Sequence, residues 1–388
     1  MNEERFRNST AGKVVRAGPD GAIYWAFVPH PLPPDIIWND KIVQELSAAD
    51  RALSKLSGLG QTLPNPHLLV RPFIQREALS SSRIEGTRAD MSDIYSYRAR
   101  QLPLPGMTSG ATEEDIKEVL NYVEALEYGL ERLASLPLSL RLLVEIHQRL
   151  MQGVRGEKSS PGRFRDRQNW ISGEDNKLEN ARFVPPPPKQ MQAALEEFEK
   201  FLHAEPHYPP LVRLALIHYQ FEAIHPFIDG NGRIGRLLIS LLTVHWNLLP
   251  LPLLYLSAFF EENRKRYYDL LLAISERGAW SEWLSFFLRG VAKQAQDANQ
   301  RALALQDLQQ RWHEQFSSQR SINPVRLVDL MFIKPIVSIT EVKTDLGLSY
   351  PGAQYNVEKL VKAGILSQLG DAKYEKFYVA ADILDILA

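Results

Sequence analysis

Apolar residues that return every three or four positions through most of this chain make it a mainly α-helical protein. Two breaks in that rhythm add detail. A polar stretch in the middle alternates as a β-hairpin flap would, and the end of the chain reads as a small module of short helices closed by a hairpin. At 388 residues the whole is long enough for two or three such units.

The elements follow in order. VVRAGPDGAIYWAFVP pairs two extended runs around Pro19, Asp20 and Gly21. Val43, Leu46, Ala49, Leu53 and Leu56 share one helix face. A second helix is predicted from about Arg71 to Glu85, with Gly86 at its C-cap. LPLPGMTSG, Leu102 to Gly110, is a linker and the first domain boundary. Thr112 is an N-cap, with Glu113, Glu114 and Asp115 in the positive first turn. Ile116, Val119, Leu120, Val123 and Leu126 form that helix's apolar stripe, and another helix follows Pro137.

From Pro161 to Pro188 the pattern becomes the flap, turning around Gly173 to Asn176 and ended stiffly by four prolines. Helices resume at Lys189, and further ones run from Ser257 to about Gln310. Beyond Ile322 the order of three short helices and a hairpin matches a winged helix-turn-helix. The predicted divisions are an N-terminal helical region, 1–110; a helical core, 111–310; and the tail module, 320–388.

Composition narrows the function. Hydrophobic residues make up 45% and charged residues 23%, as in ordinary globular proteins. A net charge of -1 gives no global attraction to nucleic acid or an anionic membrane. With no cysteine, thiol catalysis, disulfides and thiolate metal sites are excluded. The N-terminus lacks an apolar secretory core, and the most apolar stretch, Leu237 to Leu256, is broken by Pro250 and Pro252. A membrane span needs roughly 20 uninterrupted apolar residues, so a buried helix and turn are expected there, and the protein is expected to be cytoplasmic.

The chemistry concentrates in HPFIDGNGRIGR, His225 to Arg236. Pro226 makes the preceding helix costly to continue and leaves His225 at its end. Gly230, Asn231 and Gly232 then feed a new apolar helix, an arrangement in which unpaired N–H groups and the helix dipole both favour an anion. Arg233 and Arg236 add permanent cations suited to phosphate oxygens, and Asp229 offers a hard oxygen ligand suited to Mg²⁺. A base, a metal ligand, an anion nest and two arginines are the parts that phosphoryl or nucleotidyl transfer requires.

Rival readings carry less. GNGRIG satisfies the dinucleotide pattern G-x-G-x-x-G, but that fingerprint follows a strand and this segment follows a helix. His218, Glu222 and His225 share a helix face, yet a carboxylate-bridged di-iron site needs a second Glu-x-x-His and the chain has no other.

His225 to Arg236 matches, without a departure, the signature of the Fic (filamentation induced by cAMP) family of protein adenylyltransferases, which the chain resembles from roughly Leu32 to Gln300. The resemblance implies a Fic-fold helical core and assigns roles. His225 would take the proton from a Ser, Thr or Tyr hydroxyl of a target protein, and Asp229 would hold Mg²⁺ against the phosphates of ATP. Gly230, Asn231 and Gly232 would form the anion hole, continued by Ile234 and Gly235 in the phosphate-binding run. Arg233 would support the loop, Arg236 would reach the γ-phosphate and Phe227 would anchor the loop in the core. The flap residues Gln168, Asn169, Trp170, Ile171, Ser172 and Gly173 would dock an extended target segment by strand addition. Tyr267 and Tyr268 would line the adenine pocket, with ordinary helix packing as the rival reading.

A second motif, Ser81-Ser82-Arg83-Ile84-Glu85-Gly86, is similar to the N-terminal inhibitory helix of the family's class II members. Ser81 and Glu85 are four apart and project from one helix face. The resemblance implies that Glu85 pairs with Arg236 and so misaligns ATP.

The tail holds seven Lys and Arg against eight Asp and Glu from Ser321 to Ala388. Phosphate contacts dominate affinity for DNA, so a partner-docking or oligomerising role, a homodimer included, is expected before DNA binding. Two functions are weighed: an autoinhibited AMP transferase, and a DNA-binding regulator with a nucleotide-sensing core. Within the first, the same site would also serve to remove AMP.

Overall fold

The computed structural model describes residues 1–19, 23–62, 66–98, 111–154, 160–171, 177–318, 320–369 and 376–387. The linker, Asp20 and Gly21 at the first turn, and Ser172 and Gly173 of the flap lie outside the described residues.

Two strands open the chain, β1 (Gly12–Ala17) and β2 (Tyr24–Pro29), paired antiparallel with Gly12 opposite Pro29. Helices then dominate, as the periodicity requires. They are α1 (Asp40–Thr62), α2 (Pro66–Ile84), α3 (Met91–Arg98), α4 (Glu113–Arg132), α5 (Leu140–Leu150), α6 (Pro188–His203) and α7 (Pro210–Ile224). After them come α8 (Asn231–His245), α9 (Ser257–Glu262), α10 (Arg264–Arg277) and α11 (Trp280–Glu314). Thr112 caps α4 in a full capping box with Asp115. Helix α2 starts at Pro66, before the expected Arg71, and carries Pro72 inside it. A proline removes one helical hydrogen bond, which made Pro72 look like a beginning.

Helix α11 runs along α1, while α7 and α8 pack against each other at the centre. Helix α7 is buried nearly all round, including Leu211, Leu214, Ile217 and Phe221, so its two ends are held rigidly. Among the described residues, no helix is long and apolar enough to cross a membrane.

The tail contains α12 (Asn323–Ile333), β3 (Ile336–Ser338), α13 (Ile339–Leu346), α14 (Tyr350–Lys362), β4 (Ser367–Leu369), β5 (Phe377–Val379) and α15 (Ala381–Leu387). Its strands form an antiparallel sheet in the order β3-β5-β4. Leu327, Val328, Met331 and Phe332 join the same continuous core as the central helices, and α12 and α15 both rest on α2.

Candidate functional site

Helix α7 ends at Ile224, and His225 caps it with a left-handed backbone, φ 50° and ψ 60°. That conformation costs a residue with a Cβ on the order of 1–2 kcal/mol. It turns the chain out of the helix and sets His225 in the wall of a cavity of about 540 Å³. Nδ1 lies 3.2 Å from the carbonyl oxygen of Glu222, an acceptor only. The proton therefore sits on Nδ1, and Nε2 keeps its lone pair. Burial lowers the His225 pKa to about 4, so the ring is neutral at physiological pH.

The loop that follows is closed by its own side chains. Phe227 is fully buried and stacks on His147 at 3.8 Å. Asn231 accepts from the Phe227 N–H and donates to the Phe227 carbonyl, both at 2.8 Å. Gly230 adopts φ 78°, the left-handed entry to α8, which no side chain among the described residues caps. The first N–H groups of an uncapped helix are of the kind that suits an anion. Asp229 is half exposed beside it, lines the cavity and accepts from Gly230 N–H through Oδ1.

Glu85, just past the end of α2, reaches into this end. Its Oε1 accepts from Arg236 Nη2 at 2.7 Å. Ser81 completes the grip, its hydroxyl taking Arg236 Nε at 2.9 Å and its carbonyl taking Nη2 at 3.0 Å. A Cβ at Gly232 would collide with Glu85 Oε1, so only glycine allows the carboxylate this close to α8. Burial pushes the Glu85 carboxyl upward, but Arg236 outweighs it and holds the pKa below its usual value. Arg233 turns into the core instead, 3.7 Å from Glu118 and 3.7 Å from Asp229, where it braces the loop. Ile234 is buried, and the Gly235 carbonyl faces His218 Nδ1 at 3.1 Å.

Several of the expected site residues lie away from the cavity. Tyr267 does not line the cavity; it is fully buried, bonded to His218 Nε2 at 2.8 Å and stacked on Phe260 at 4.5 Å. Neighbours on a helix lie about 100° apart, and it is Tyr268 that faces the cavity. His218 bonds within the protein through both ring nitrogens. Gln168 and Asn169 also turn inward. Gln168 donates to the carbonyls of Asn169 and Pro185, both at 2.9 Å, and Asn169 to that of Phe227 at 2.7 Å. Trp170 and Ile171 do line the cavity, and Ile171 pairs with Phe183 in a single bridge.

Sequence reasoning missed several residues here. Glu222 lines the cavity with its pKa pushed up by burial to about 7. Arg182, Arg264 and Ser275 line it from the flap and α10. Arg165 and His147 hold the loop from behind, and their isolated positions in PGRFRDR and VEIHQR carry no local signal.

The chain has relatives among known proteins. The model described as Fic/DOC family N-terminal matches residues 43–131, and the Fic/DOC family model matches residues 137–243. The chain is 27% identical over 197 residues to protein adenylyltransferase Fic of Culex quinquefasciatus, covering 50% of this chain but 35% of that relative. It therefore spans about a third of the length of such curated relatives. A crystal structure of a Fic family protein from Desulfovibrio desulfuricans G20 superposes with a TM-score of 0.56 at 20% identity, over 90% of this chain and 98% of that one. A fragment of Fic-1 from C. elegans gives 0.52 at 22% identity, over 69% and 74%. The two matched models meet between α4 and α5 and together take in both Glu85 and the whole of His225 to Arg236, and on that basis the chain belongs to the Fic/DOC family.

Proposed function

We propose that this chain is an autoinhibited enzyme that transfers AMP from ATP to hydroxyl groups of proteins, itself included. One observation carries the reading: a neutral histidine with an open Nε2 lone pair lines the same cavity as the uncapped N-terminus of α8. A hydroxyl oxygen placed there attacks the α-phosphorus, its proton passes to His225 Nε2, and the bond to the departing pyrophosphate breaks. The α8 N–H groups stabilise the charge that grows on the α-phosphate oxygens.

Asp229 fits Mg²⁺, because a half-exposed carboxylate with one oxygen to spare suits an ion that keeps several waters and binds phosphates as well. When bound, the ion would neutralise phosphate charge. Tyr268, on the cavity wall, offers a ring face for the adenine. Trp170 and Ile171, at the open side, suit a docked target segment.

The Glu85–Arg236 pair supports autoinhibition. Arg236 is 1% exposed and committed to Ser81 and Glu85, so a γ-phosphate must displace the carboxylate to reach it. A misplacement of about 1 Å costs on the order of 100-fold in rate. Auto-AMPylation with radiolabelled ATP is expected to rise by one to two orders of magnitude in Glu85→Gly and to vanish in His225→Ala. Equal labelling of all three proteins would rule the assignment out. The tail fits a winged helix-turn-helix that docks a partner; its own charge balance speaks against DNA, which a salt-dependent gel shift would detect.

A further inference from the structure

The left-handed backbone at His225 needs something to hold it. Four consecutive carbonyls, from Ile224 to Phe227, are each captured by one short segment of the chain. Arg165 Nη2 donates to the Ile224 carbonyl at 3.4 Å and Nε to that of His225 at 2.9 Å. The Arg165 backbone N–H donates to Pro226 at 2.9 Å. Asn169 Nδ2 donates to Phe227 at 2.7 Å and to His225 at 3.4 Å. The next anchor comes from the same segment through a relay. Gly162 N–H donates to His147 Nδ1 at 3.0 Å, which fixes the proton on Nε2 and directs it to the Asp229 carbonyl, also 3.0 Å away.

Arg165 is 3% exposed, and among the described residues no carboxylate pairs with it. Its remaining bonds go to the carbonyls of Pro186 and Arg167. A buried cation without a counter-ion is costly unless dipoles replace the ion. The negative end of α7 supplies them, because its last carbonyls have no helical partner and favour a cation.

We infer that residues 162–169 form a strap that fixes the base-bearing loop, with Arg165 and Asn169 as the positioning residues of His225. The inference rests on the reading of His225 as the base. The strap does two things. It holds the backbone angle that aims the imidazole into the cavity, and it places a permanent positive charge against the carbonyl of the base itself. Burial is the main reason the base stays neutral; the Arg165 charge adds to it and opposes the Glu222 carbonyl and the carboxylates of Glu85 and Asp229, which favour the imidazolium.

The test uses the full chain carrying Glu85→Gly, scoring auto-AMPylation rate against ATP concentration and pH. Arg165→Lys keeps the charge but loses the planar fork. Its saturated rate is expected to fall about 100-fold, with the half-saturating ATP concentration within about threefold. Arg165→Met should lose a similar factor, and the acid limb of its pH profile should also move upward, which Arg165→Lys should not show. Asn169→Ala, at a half-buried site, should lose about tenfold in saturated rate alone. If Arg165→Met does not fold, by circular dichroism, Asn169→Ala and Arg165→Lys decide. Saturated rates within threefold of the parent in the folded variants, or losses confined to ATP half-saturation, would overturn the strap. No AMP transfer by the Glu85→Gly parent would instead refute the proposed reaction.

Discussion

Histidine chemistry dominates the single-residue behaviour of this site. His218 donates through Nδ1 to the Gly235 carbonyl and accepts from Tyr267 at Nε2, so its neutral form is fully satisfied and fully buried. Burial lowers its pKa to about 3, and that of His147 to about 4. Unfolded histidines titrate near 6.5, so below that pH the unfolded chain binds protons the native chain refuses. Each such group subtracts about 1.4 kcal/mol of stability per pH unit as the solution is acidified. Glu222, with its pKa near 7, acts with the opposite sign, since the native state holds its proton where the unfolded state has lost it. Replacing His218 by Gln isolates one contribution. Its destabilisation, measured by urea unfolding, is expected to be smaller at pH 5 than at pH 7 by about 2 kcal/mol; an equal penalty at both values would contradict a neutral, proton-refusing His218. The motif residues around it were readable because glycine, proline and arginine at fixed spacing carry backbone and charge requirements in their own chemistry. Arg165, His147 and the inward turn of Asn169 were not, because a polar residue buried by a distant element leaves no periodic trace.

Helix α2 shows what a single element contributes. Glu77, one turn before Ser81, is buried and accepts from Tyr122 of α4 at 3.2 Å and from both the backbone N–H and hydroxyl of Ser257, at the start of α9. It ties three helices together and caps one of them from outside. Burial pushes its carboxyl pKa up. Glu77→Ala would leave the Ser257 N–H and Tyr122 hydroxyl unsatisfied, at about 1–3 kcal/mol each. Because Ser81 lies further along the same helix and Glu85 just past its end, loosening it should also weaken the hold on Arg236. The expected outcome is a lower urea midpoint together with higher auto-AMPylation; a drop in stability with unchanged labelling would show that α2 does not need Glu77 to present Glu85. The N-cap of α4 was legible from Thr112 and its acidic first turn. The start of α2 was not, because Pro72 resembles a first-turn proline and here lies inside the helix.

Seen whole, the tail is continuous with the body. Trp312 of α11 packs on Phe332 of α12 at 5.6 Å, and Arg301 of α11 reaches the Ile386 carbonyl in α15 while bonding Asp297, which in turn bonds Arg76 of α2. One apolar core runs through both. Scanning calorimetry is therefore expected to show one cooperative transition, lowered as a unit by Trp312→Ala, whose cost should be about 3–5 kcal/mol. Two separate peaks, with only one moved, would contradict a shared core. Sequence style alone marked a change near Ile322 but gave no sign of this continuity, since packing between distant helices depends on faces that local periodicity describes only one at a time.

The captured carbonyls from Ile224 to Phe227 have a consequence in time. With its backbone held on every side, the loop has no slow rearrangement to make between idle and active forms. The group proposed to stand in the way is one side chain, Glu85, about a third exposed and followed by Gly86 at φ 106°. Once its bond to Arg236 is broken, a side chain of this kind changes rotamer in picoseconds to nanoseconds, far faster than enzymes with typical turnover of 1–1,000 per second. Repression of the proposed kind would set the fraction of moments at which Arg236 is open to ATP, and the rate would follow that fraction without a lag.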